Sequence, residues 1–399
     1  MDYLSVWPSI VCLALLFVLA STRLLNHADS PPSSDADRLS MLDGLRGFLA
    51  LGVFFCHAVQ LPGFSAAGVL PALPVGSFYE LLGQVAVQMF FMITGYLFWS
   101  QQIRTHGRPD WLSLYIGRAF RIGPVYLVAV ITTLVIVLSH TGMHAAVAPA
   151  ELTREAGRWL ALGVRSVGSE VMNGYAKTPD IMLGVTWTLQ FEWLFYFSLP
   201  VLAIGARADR IHLPLSAAGL VGCLVYSVLH GDPEGAGRLM CAILFLFGML
   251  TASLVDRKAI PRLANSASSC VVLALLAVLF GAFTNAYHAL PVVVVGIIFC
   301  LIASGCTIFG LLTSVPARRL GNVSYSVYLL HGIVYYFLFS VRAWREFASA
   351  SPLKYWVAIL LCAITVVLVA TIVHVMVERP GIRLGKRLGF ATRDLRQRT

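Results

Sequence analysis

The sequence predicts an all-α, polytopic bundle of transmembrane helices. Of the 399 residues, 58% are hydrophobic and only 12% are charged, and the mean hydropathy is +0.80. This composition leaves too little polar surface to cover a soluble protein of that length. The hydrophobic residues also form runs long enough to cross a hydrocarbon core of about 30 Å, and the charged residues fall mainly between these runs.

Eleven such runs predict about eleven transmembrane helices, ten in a core and one extra helix at the N-terminus. The runs span residues 6–24, 44–62, 79–100, 117–140, 184–205, 213–230, 239–256, 268–286, 290–313, 322–341 and 355–378. We expect four regions along the chain. They are the extra helix at 1–25, a polar linker at 26–43, a membrane domain at 44–380 and a basic tail at 381–399.

The first run is typical of an anchor helix and not of a cleaved secretory signal. Asp2 precedes the run, no basic residue does, and Arg23 follows it. Because basic residues favour the cytoplasmic side, this order predicts that the N-terminus lies outside. The segment after the run is polar and contains Pro31-Pro32-Ser33-Ser34, which predicts a linker.

The basic residues between the runs predict the orientation of the other helices. A cytoplasmic C-terminus places 21 of the 29 Lys and Arg residues, Arg46 among them, on the cytoplasmic side and 8 on the other. This asymmetry obeys the positive-inside rule. The net charge of +10 is spread over many loops, which argues against nucleic acid as a partner. For the tail from Arg379 to Arg398 we expect membrane lipids with anionic headgroups as the partner.

Cysteine and metal chemistry is not expected. All eight cysteines lie within apolar runs and none forms a C-x-x-C pair, so we expect them to pack as small hydrophobic residues, with neither disulfides nor a metal site. The sequence also has no motif of soluble esterases, P-loop enzymes, zinc proteases or dinucleotide-binding enzymes. Any reaction is therefore expected inside the helix bundle.

Arg46 and His57 are the first candidates for that chemistry, because they share one otherwise apolar helix. Eleven positions make about three turns, so both side chains lie on one face, about 16 Å apart along the axis. Ionisable groups at such depth usually face a bundle interior or a water-filled path. The alternative for Arg46 is a salt bridge to Asp43, one turn away, with no role in binding.

Three further polar residues, each on a different helix, are expected near the depth of His57. Together with His57 they predict one midplane cavity that four helices surround. They are Gln88, Glu192 and His331. Glu192 is predicted to partner His57, since a carboxylate can orient an imidazole that acts as a general base. His331 has a structural alternative, in which its ring satisfies a backbone carbonyl.

Six sequence motifs resemble those of the acyltransferase 3 family and occur in the family's order. The members of this family are integral membrane enzymes that O-acylate bacterial surface carbohydrates. The resemblance runs from Arg38 to Pro380. The motifs are Leu42-Asp-Gly-Leu-Arg46 with His57 eleven positions further on; Gly83-Gln-Val-Ala-Val-Gln-Met-Phe-Phe-Met-Ile-Thr-Gly-Tyr-Leu-Phe98; Arg118-Ala-Phe-Arg121-Ile-Gly-Pro124-Val-Tyr126; Thr186-Trp-Thr-Leu-Gln-Phe-Glu192-Trp-Leu-Phe-Tyr196; Leu320-Gly-Asn-Val-Ser-Tyr-Ser-Val-Tyr-Leu-Leu-His331; and Val377-Glu-Arg-Pro380. Thr94 and Thr188 stand where the family usually has serine, and both retain a hydroxyl.

The resemblance implies a donor, an acceptor and roles for several residues. The Arg-x10-His pair, Arg46 and His57, is implied to be the catalytic element, and Arg118 and Arg121 form the family's R-x-x-R element. Acetyl-CoA is the usual acyl donor of the family, and the resemblance implies no metal cofactor for the reaction. The implied acceptor is a hydroxyl of a surface or exported polysaccharide or its lipid-linked precursor, in the bacterial inner membrane, with polysaccharide assembly proteins as further partners.

From these residues we form a mechanistic hypothesis. Phosphates of acyl-CoA bind near Arg118, Arg121 and Arg46, where guanidinium groups suit phosphate oxygens. His57 then removes the proton from an acceptor hydroxyl, and a covalent acyl-His intermediate is the alternative. The residues expected to support His57 or to bind the acceptor are Glu192, His331, Ser326, Tyr325 and Gln88.

Other functions remain open from the sequence. The connection at 141–183 is the longest segment without a spanning helix, and its Trp159 and Tyr175 either stack on sugar rings or anchor at the membrane interface.

Buried His, Glu and Arg side chains also suit a proton-coupled transporter or a flippase. As an acyltransferase, the protein has a macrolide or a lipid as alternative acceptors, and succinyl as an alternative to acetyl.

Overall fold

The computed structural model describes residues 3–29, 36–61, 76–230, 237–260 and 265–398. In these residues it confirms the all-α prediction, with sixteen α-helices and no β-strand. In chain order the helices are α1 (Val6–Ser21), α2 (Ala36–Ala58), α3 (Phe78–Arg104), α4 (Trp111–His140), α5 (Pro149–Trp159), α6 (Thr178–Ile181), α7 (Trp187–Leu202), α8 (His212–His230), α9 (Arg238–Asp256), α10 (Asn265–Ala282), α11 (Ala289–Ala303), α12 (Val315–Asn322), α13 (Ser324–Ser340), α14 (Arg342–Ser349), α15 (Pro352–Val373) and α16 (Arg379–Arg398).

Eight helical segments in this part of the chain are long and apolar enough to cross a membrane. They are Ser40–Ala58, Phe78–Arg104, Trp111–His140, Trp187–Ala206, His212–His230, Arg238–Asp256, Asn265–Ala282 and Pro352–Phe390. The pair of α12 and α13, bent by 65° at its junction, is apolar enough to count as a ninth candidate when the two helices are taken as one span. The two other predicted runs form the shorter helices α1 and α11, of 16 and 15 residues. Every predicted run therefore contains a helix, and two helices are shorter than a full span.

The predicted span at 290–313 is the clearest departure, because its helix α11 already ends at Ala303. The chain then passes through four residues with positive φ, namely Gly305, Ile308, Phe309 and Gly310. Left-handed backbone cannot continue an α-helix. Hydropathy alone does not reveal this turn, since Ile308 and Phe309 are as apolar as the helix before them.

The segment before α7 enters the bundle, which changes the depth at which α7 begins. Tyr328 of α13 donates its hydroxyl to the carbonyl of Val185 at 2.9 Å, and its oxygen lies 3.1 Å from the hydroxyl of Thr188. Gly332, one turn further along α13, leaves room for the backbone of Met182, which a Cβ would approach to 2.8 Å. The first turn of α7 thus lies beside the middle of a neighbouring helix and not at the bundle surface.

The last two helices form one long rod. A π-helical turn at His374–Glu378 joins α15 to α16, and Pro352–Phe390 is a continuous helical segment of 39 residues. At about 1.5 Å per residue the segment is about 58 Å long, nearly twice the thickness of a hydrocarbon core of about 30 Å. The basic helix α16 therefore extends beyond the core.

Small residues hold α16 antiparallel against α4. A Cβ at Gly381 would lie 2.5 Å from Pro124, and a Cβ at Gly389 would lie 3.0 Å from the hydroxyl oxygen of Ser113. The residue numbers rise along α16 as they fall along α4, so the two helices run in opposite directions. Backbones this close leave no room for a larger residue on that face of α16.

The N-terminal helix is fixed to the bundle by Arg319 of α12. The guanidinium group of Arg319 makes two hydrogen bonds to the carboxylate of Asp29, at 2.8 and 3.0 Å, and one to the side chain of Asn26. It also donates to the carbonyls of Ala20 and Thr22. The segment that follows α1 is therefore packed on the bundle as far as Asp29.

Candidate active site

A cavity of about 760 Å³ lies among α2, α3, α4, α7, α13 and α16. Its charged lining residues are Asp43, Arg46, Arg118, Arg121, Glu192, Arg379, Arg383 and Lys386. Six cations thus face two carboxylates. We call the end of the bundle where these eight residues lie the basic end. Such a lining favours an anionic ligand.

The two arginines of α4 line one wall of the cavity, and aromatic rings hold the first. The guanidinium group of Arg118 lies over the ring of Phe98, 4.9 Å from its centroid, and 6.0 Å from that of Tyr196. Cation–π contact of this kind attracts a guanidinium group electrostatically and helps to hold it beside the rings. No salt bridge engages Arg118 in the part of the chain that the structure describes.

Arg121, one turn further along α4, is paired with Glu378. The two side chains form a salt bridge of 2.5 Å, in which the carboxylate is fully buried. The other carboxylate oxygen lies 2.9 Å from Nδ1 of His374 and accepts a hydrogen bond of 2.8 Å from Ser326. The π-helical turn places His374 and Glu378 on the same face, four positions apart. Glu378 therefore ties α15, α13 and α4 together beside the cavity.

Arg46 forms the contact with Asp43 that the sequence offers as an alternative, and it also lines the cavity, as a role in binding would require. Its guanidinium group lies 3.8 Å from the carboxylate of Asp43, and both side chains line the cavity and are partly exposed to it. At 3.8 Å the salt bridge is loose. The N-terminal part of α2 packs closely against the backbone of Leu312 at Gly44. A Cβ at that position would lie 1.9 Å from the carbonyl oxygen of Leu312, so only glycine fits there.

Glu192 also lines the cavity, and it does not pair with His57 as the sequence analysis expects. Its carboxylate accepts a hydrogen bond of 2.8 Å from Tyr196, whose ring lies beside Arg118. The expected depth is wrong because α7 begins inside the bundle, at the level of Tyr328, so Glu192 lies nearer the basic end.

His57 instead pairs with Gln60 and His331. Nδ1 of His57 lies 3.0 Å from Oε1 of Gln60, and its ring stacks on that of His331 with centroids 5.3 Å apart and an angle of 29° between the planes. Because an amide oxygen only accepts hydrogen bonds, this contact places the proton on Nδ1 and the lone pair on Nε2 of a neutral His57. His331 is fully buried, and its Nδ1 lies 3.2 Å from the carbonyl of Val327.

An aromatic wall separates this imidazole pair from the cavity. Neither His57 nor His331 is among the described residues that line the cavity. The inner end of the cavity is formed by Phe90 and Tyr328, whose rings meet edge to face at 6.1 Å. The ring of Tyr328 is in turn 6.3 Å from that of His331. One layer of side chains therefore lies between the cavity and the imidazoles.

The comparisons with known proteins identify the family. The family model described as "Acyltransferase domain" matches residues 39–375. The chain belongs to this acyltransferase family. With at least eight candidate spans in the described residues, it is a multi-pass membrane acyltransferase.

Two curated relatives are similar over most of their length. The chain is 28% identical to Acyltransferase MdmB of Streptomyces mycarofaciens over 396 residues, which cover 89% of this chain and 95% of the relative. It is 29% identical to the Exopolysaccharide production protein ExoZ of Rhizobium meliloti over 323 residues, which cover 76% of this chain and 91% of the relative. No solved structure matches.

The acyltransferase motifs quoted from the sequence meet around the cavity. The three supporting candidates Tyr325, Ser326 and Gln88 differ in whether they line it. Tyr325 lines the cavity, and its hydroxyl donates to the carbonyl of Ile122 at 2.8 Å. Ser326 faces Glu378 and is fully buried. Gln88 is also fully buried and donates to the carbonyl of Ala286 at 2.7 Å, so its amide nitrogen holds a loop and does not face the cavity.

The two aromatic residues of the 141–183 connection have different environments. Trp159 is only 2% exposed and belongs to the core, so its ring is not available for stacking on a sugar. Tyr175 is partly exposed and stacks on His140, with centroids 4.9 Å apart and nearly parallel planes. The hydroxyl of Tyr336 lies 2.6 Å from Nε2 of His140. These three aromatic side chains lie at the far end of α4 from the cavity.

Sequence reasoning missed several residues of the acyltransferase site. His374 and Glu378 lie in or beside its last motif, and a buried acid there was a usable indication that went unused. Arg383 and Lys386 were assigned to a tail that faces lipid, because their charge suggested no more than attraction to headgroups. Tyr328 was quoted only as part of a motif, since sequence does not show which ring closes the cavity.

Proposed function

We propose that the protein transfers an acyl group, most simply acetyl, from cytoplasmic acyl-CoA to a hydroxyl group of a cell-surface or exported polysaccharide or its lipid-linked precursor. The observation that supports this proposal is the cavity with six cations, which one layer of side chains, including Tyr328, separates from the stacked imidazoles of His57 and His331. The family model and the printed name of ExoZ agree with it.

Acyl-CoA suits the cavity because its charge and its reactive group lie at opposite ends of a long molecule. The phosphates are anionic and bind guanidinium groups, such as that of Arg118, in the geometry of two parallel hydrogen bonds. The pantetheine arm is slender and long enough to cross roughly half a bilayer. We propose that it reaches toward His57 when the rings of Phe90 and Tyr328 move apart.

His57 acts as the general base in this proposal. Its Nε2 takes the proton from the acceptor hydroxyl while the hydroxyl oxygen attacks the carbonyl carbon of the thioester. The tetrahedral intermediate then expels the CoA thiolate, which the imidazolium group protonates. Gln60 orients the ring through Nδ1, and His331 packs against its face. Glu192, held by Tyr196 beside Arg118, is a positioning residue for the donor site.

The decisive experiment follows the labelled acetyl group. The purified protein in liposomes receives radiolabelled acetyl-CoA and candidate glycans, and we expect label in the glycan and free CoA. A proton-coupled transporter or a flippase leaves the thioester intact, so persistence of acetyl-CoA with every glycan rejects the acyltransferase proposal for these acceptors. A macrolide and a membrane lipid, tested in parallel, decide between the alternative acceptors, and succinyl-CoA tests the acyl group.

His57→Ala tests the assigned base. Removal of a general base lowers kcat by about 10²- to 10⁴-fold, while thermal stability and expression should change little because His57 is partly exposed. The matched control is His230→Ala, which removes an exposed imidazole that likewise stacks on a neighbouring ring, that of Tyr226. Equal activity of the His57 and His230 variants would reject the role of His57. Label that stays on wild-type protein denatured at neutral pH without acceptor, and that is absent from His57→Ala, would indicate the acyl-His variant of the mechanism.

Arg46→Ala separates the two explanations for that residue. If Arg46 contacts phosphate, the KM for acetyl-CoA rises by about tenfold or more, since a charge-assisted hydrogen bond contributes about 1.5–3 kcal/mol. If Arg46 only pairs with Asp43, the variant changes thermal stability and leaves that KM unaltered. Asp43→Asn is the matched variant, because it removes the salt bridge and keeps the guanidinium group in the cavity.

A further inference from the structure

Two cations of α16, Arg383 and Lys386, line the cavity although they lie beyond residues 39–375 that the family model covers. They are three positions apart, so their side chains leave the same face of the helix about one turn from each other. Both side chains are exposed. In the described residues, no salt bridge engages either of them.

Other cations of the cavity already have partners. Arg121 is paired with the buried carboxylate of Glu378 at 2.5 Å, and Arg46 lies 3.8 Å from Asp43. Arg379 donates to the backbone carbonyls of His27 and Asp29, at the end of the N-terminal segment. In the described residues, neither a salt bridge nor a backbone carbonyl engages the three other cations, which are Arg118 on α4 and Arg383 and Lys386 on α16.

The packing of α16 determines which of its basic residues face the cavity. Gly381, Gly385 and Gly389 form the face that contacts α4, and this contact fixes the rotation of α16 about its axis. Arg383 and Lys386 consequently face the cavity, whereas Arg387 is exposed and is not among the lining residues. A helix that only lay on anionic lipid would not need its rotation fixed against a neighbouring helix.

We propose that Arg383 and Lys386 bind the phosphate groups of the acyl-CoA donor, opposite Arg118. The proposal rests on the proposed function and adds to it a second phosphate-binding wall. Coenzyme A has two clusters of phosphate charge, a pyrophosphate and a ribose phosphate, so binding sites on two facing helices suit it better than one pair of arginines. Arg383 offers a planar fork of N–H donors, and Lys386 offers a compact point charge.

The test compares Arg383→Gln and Lys386→Gln with Arg387→Gln, which removes a positive charge of α16 that is exposed but does not line the cavity. With acetyl-CoA in neutral phosphatidylcholine nanodiscs, we expect KM to rise about tenfold in each of the first two variants, with kcat retained, and to stay unchanged in the third. S-acetyl-pantetheine has no ribose phosphate and no pyrophosphate. With this substrate, the wild type and all three variants should have equal KM.

Binding of CoA alone, followed by its effect on the thermal unfolding midpoint, separates this proposal from the proposed function. A wild type that binds CoA but transfers nothing contradicts the function, and the three variants still test the phosphate contacts. Equal CoA binding by all proteins overturns the inference, as does an equal loss in Arg387→Gln. An effect seen only in nanodiscs with anionic lipid also overturns it, because the two cations would then bind lipid headgroups.

Discussion

Glu378 shows how one buried carboxylate holds several helices at the edge of the cavity. It contacts Arg121, His374 and Ser326, which lie on three different elements, and its side chain is fully buried. A buried carboxylate is tolerated only when it is paired and hydrogen-bonded. Because Arg121 is paired with Glu378, we expect it to contribute less to phosphate binding than Arg118 does.

Glu378→Gln tests this structural role. Glutamine retains the shape but loses the charge, and it leaves Arg121 without its partner. Breaking a buried ion pair costs about 3–5 kcal/mol, so we expect the thermal unfolding midpoint in detergent to fall by about 5 °C or more. Ser326→Ala removes one hydrogen bond from the same carboxylate and should cost about 1 kcal/mol. A Glu378→Gln variant that is as stable as Ser326→Ala would contradict the assigned role.

Residue contacts between distant helices were the least predictable part of the site. The sequence placed Arg46 and His57 on one helix correctly, but of the two only Arg46 lines the cavity. From estimated depths, it paired Glu192 with His57. In the structure, Glu192 pairs with Tyr196 and His57 pairs with Gln60. A depth estimate assumes that a helix begins at the membrane surface. For α7 this assumption fails.

At the scale of elements, the contact between α4 and α16 brings the basic tail to the cavity. A Cβ at Gly385 would lie 2.6 Å from the Cβ of Phe120, which is too close for either helix to stay in place. We expect Gly385→Ala to displace α16, to cost about 1–3 kcal/mol through overpacking and to raise the KM for acetyl-CoA. Thermal unfolding and steady-state kinetics on the same preparation measure both effects.

Gly117→Ala is the matched control for that prediction. Gly117 lies on α4, and a Cβ there would meet nothing within 4 Å. Both substitutions gain about 1 kcal/mol of helix propensity, so the difference between them isolates the steric contact. If the two variants unfold at the same temperature, the close approach of α16 to α4 is not part of the folded protein.

The docking of α1 through Asp29 and Arg319 is expected to depend on pH. The hydrogen bonds from Arg319 lower the pKa of the Asp29 carboxyl below its usual value. A group whose pKa is lowered by folding stabilises the protein above its unfolded pKa, and this contribution disappears as the pH falls through the folded pKa. Asp29→Asn should therefore lower the thermal midpoint at pH 7 and have no effect at a pH below both pKa values.

The size of that effect is limited because the Asp29 side chain is half exposed. Solvent screening limits such a pair to about 1 kcal/mol, which corresponds to a shift of a few degrees at most. Glu346→Gln is the control, since it breaks the more exposed pair with Arg342 at 2.7 Å and should shift the midpoint less. An Asp29→Asn effect that persists unchanged at low pH would show that the charge of Asp29 does not hold α1.

At the scale of the whole molecule, the sequence predicted what depends on composition and order along the chain. The number of apolar runs, the absence of strands in the described residues and the family all follow from such one-dimensional properties. It could not predict the turn after α11 or the packing of α16, since both depend on contacts in three dimensions. The acyltransferase motifs meet at the cavity because the helices that contain them pack around it. The order of the motifs along the chain does not by itself require this packing.

The orientation of the bundle decides whether the proposed donor can reach the cavity. The basic end has the six cations of the cavity, and from the positive-inside rule we expect it on the cytoplasmic side, where acyl-CoA is made. α5 follows the far end of α4 and should lie on the other side of the membrane. Cysteines introduced at Arg387 and at Glu151, both exposed, report the two sides. Cys270, the one native cysteine that is exposed, is replaced by serine in both variants.

We expect a membrane-impermeant maleimide to label Arg387→Cys only in inside-out vesicles and Glu151→Cys only in right-side-out vesicles. The opposite pattern would place the cation-lined cavity on the side without acyl-CoA, and the proposed donor would then have no route to Arg118, Arg383 or Lys386. Such a protein would have to bind a different anion. The labelling pattern thus tests the orientation and the donor together, before any acceptor is known.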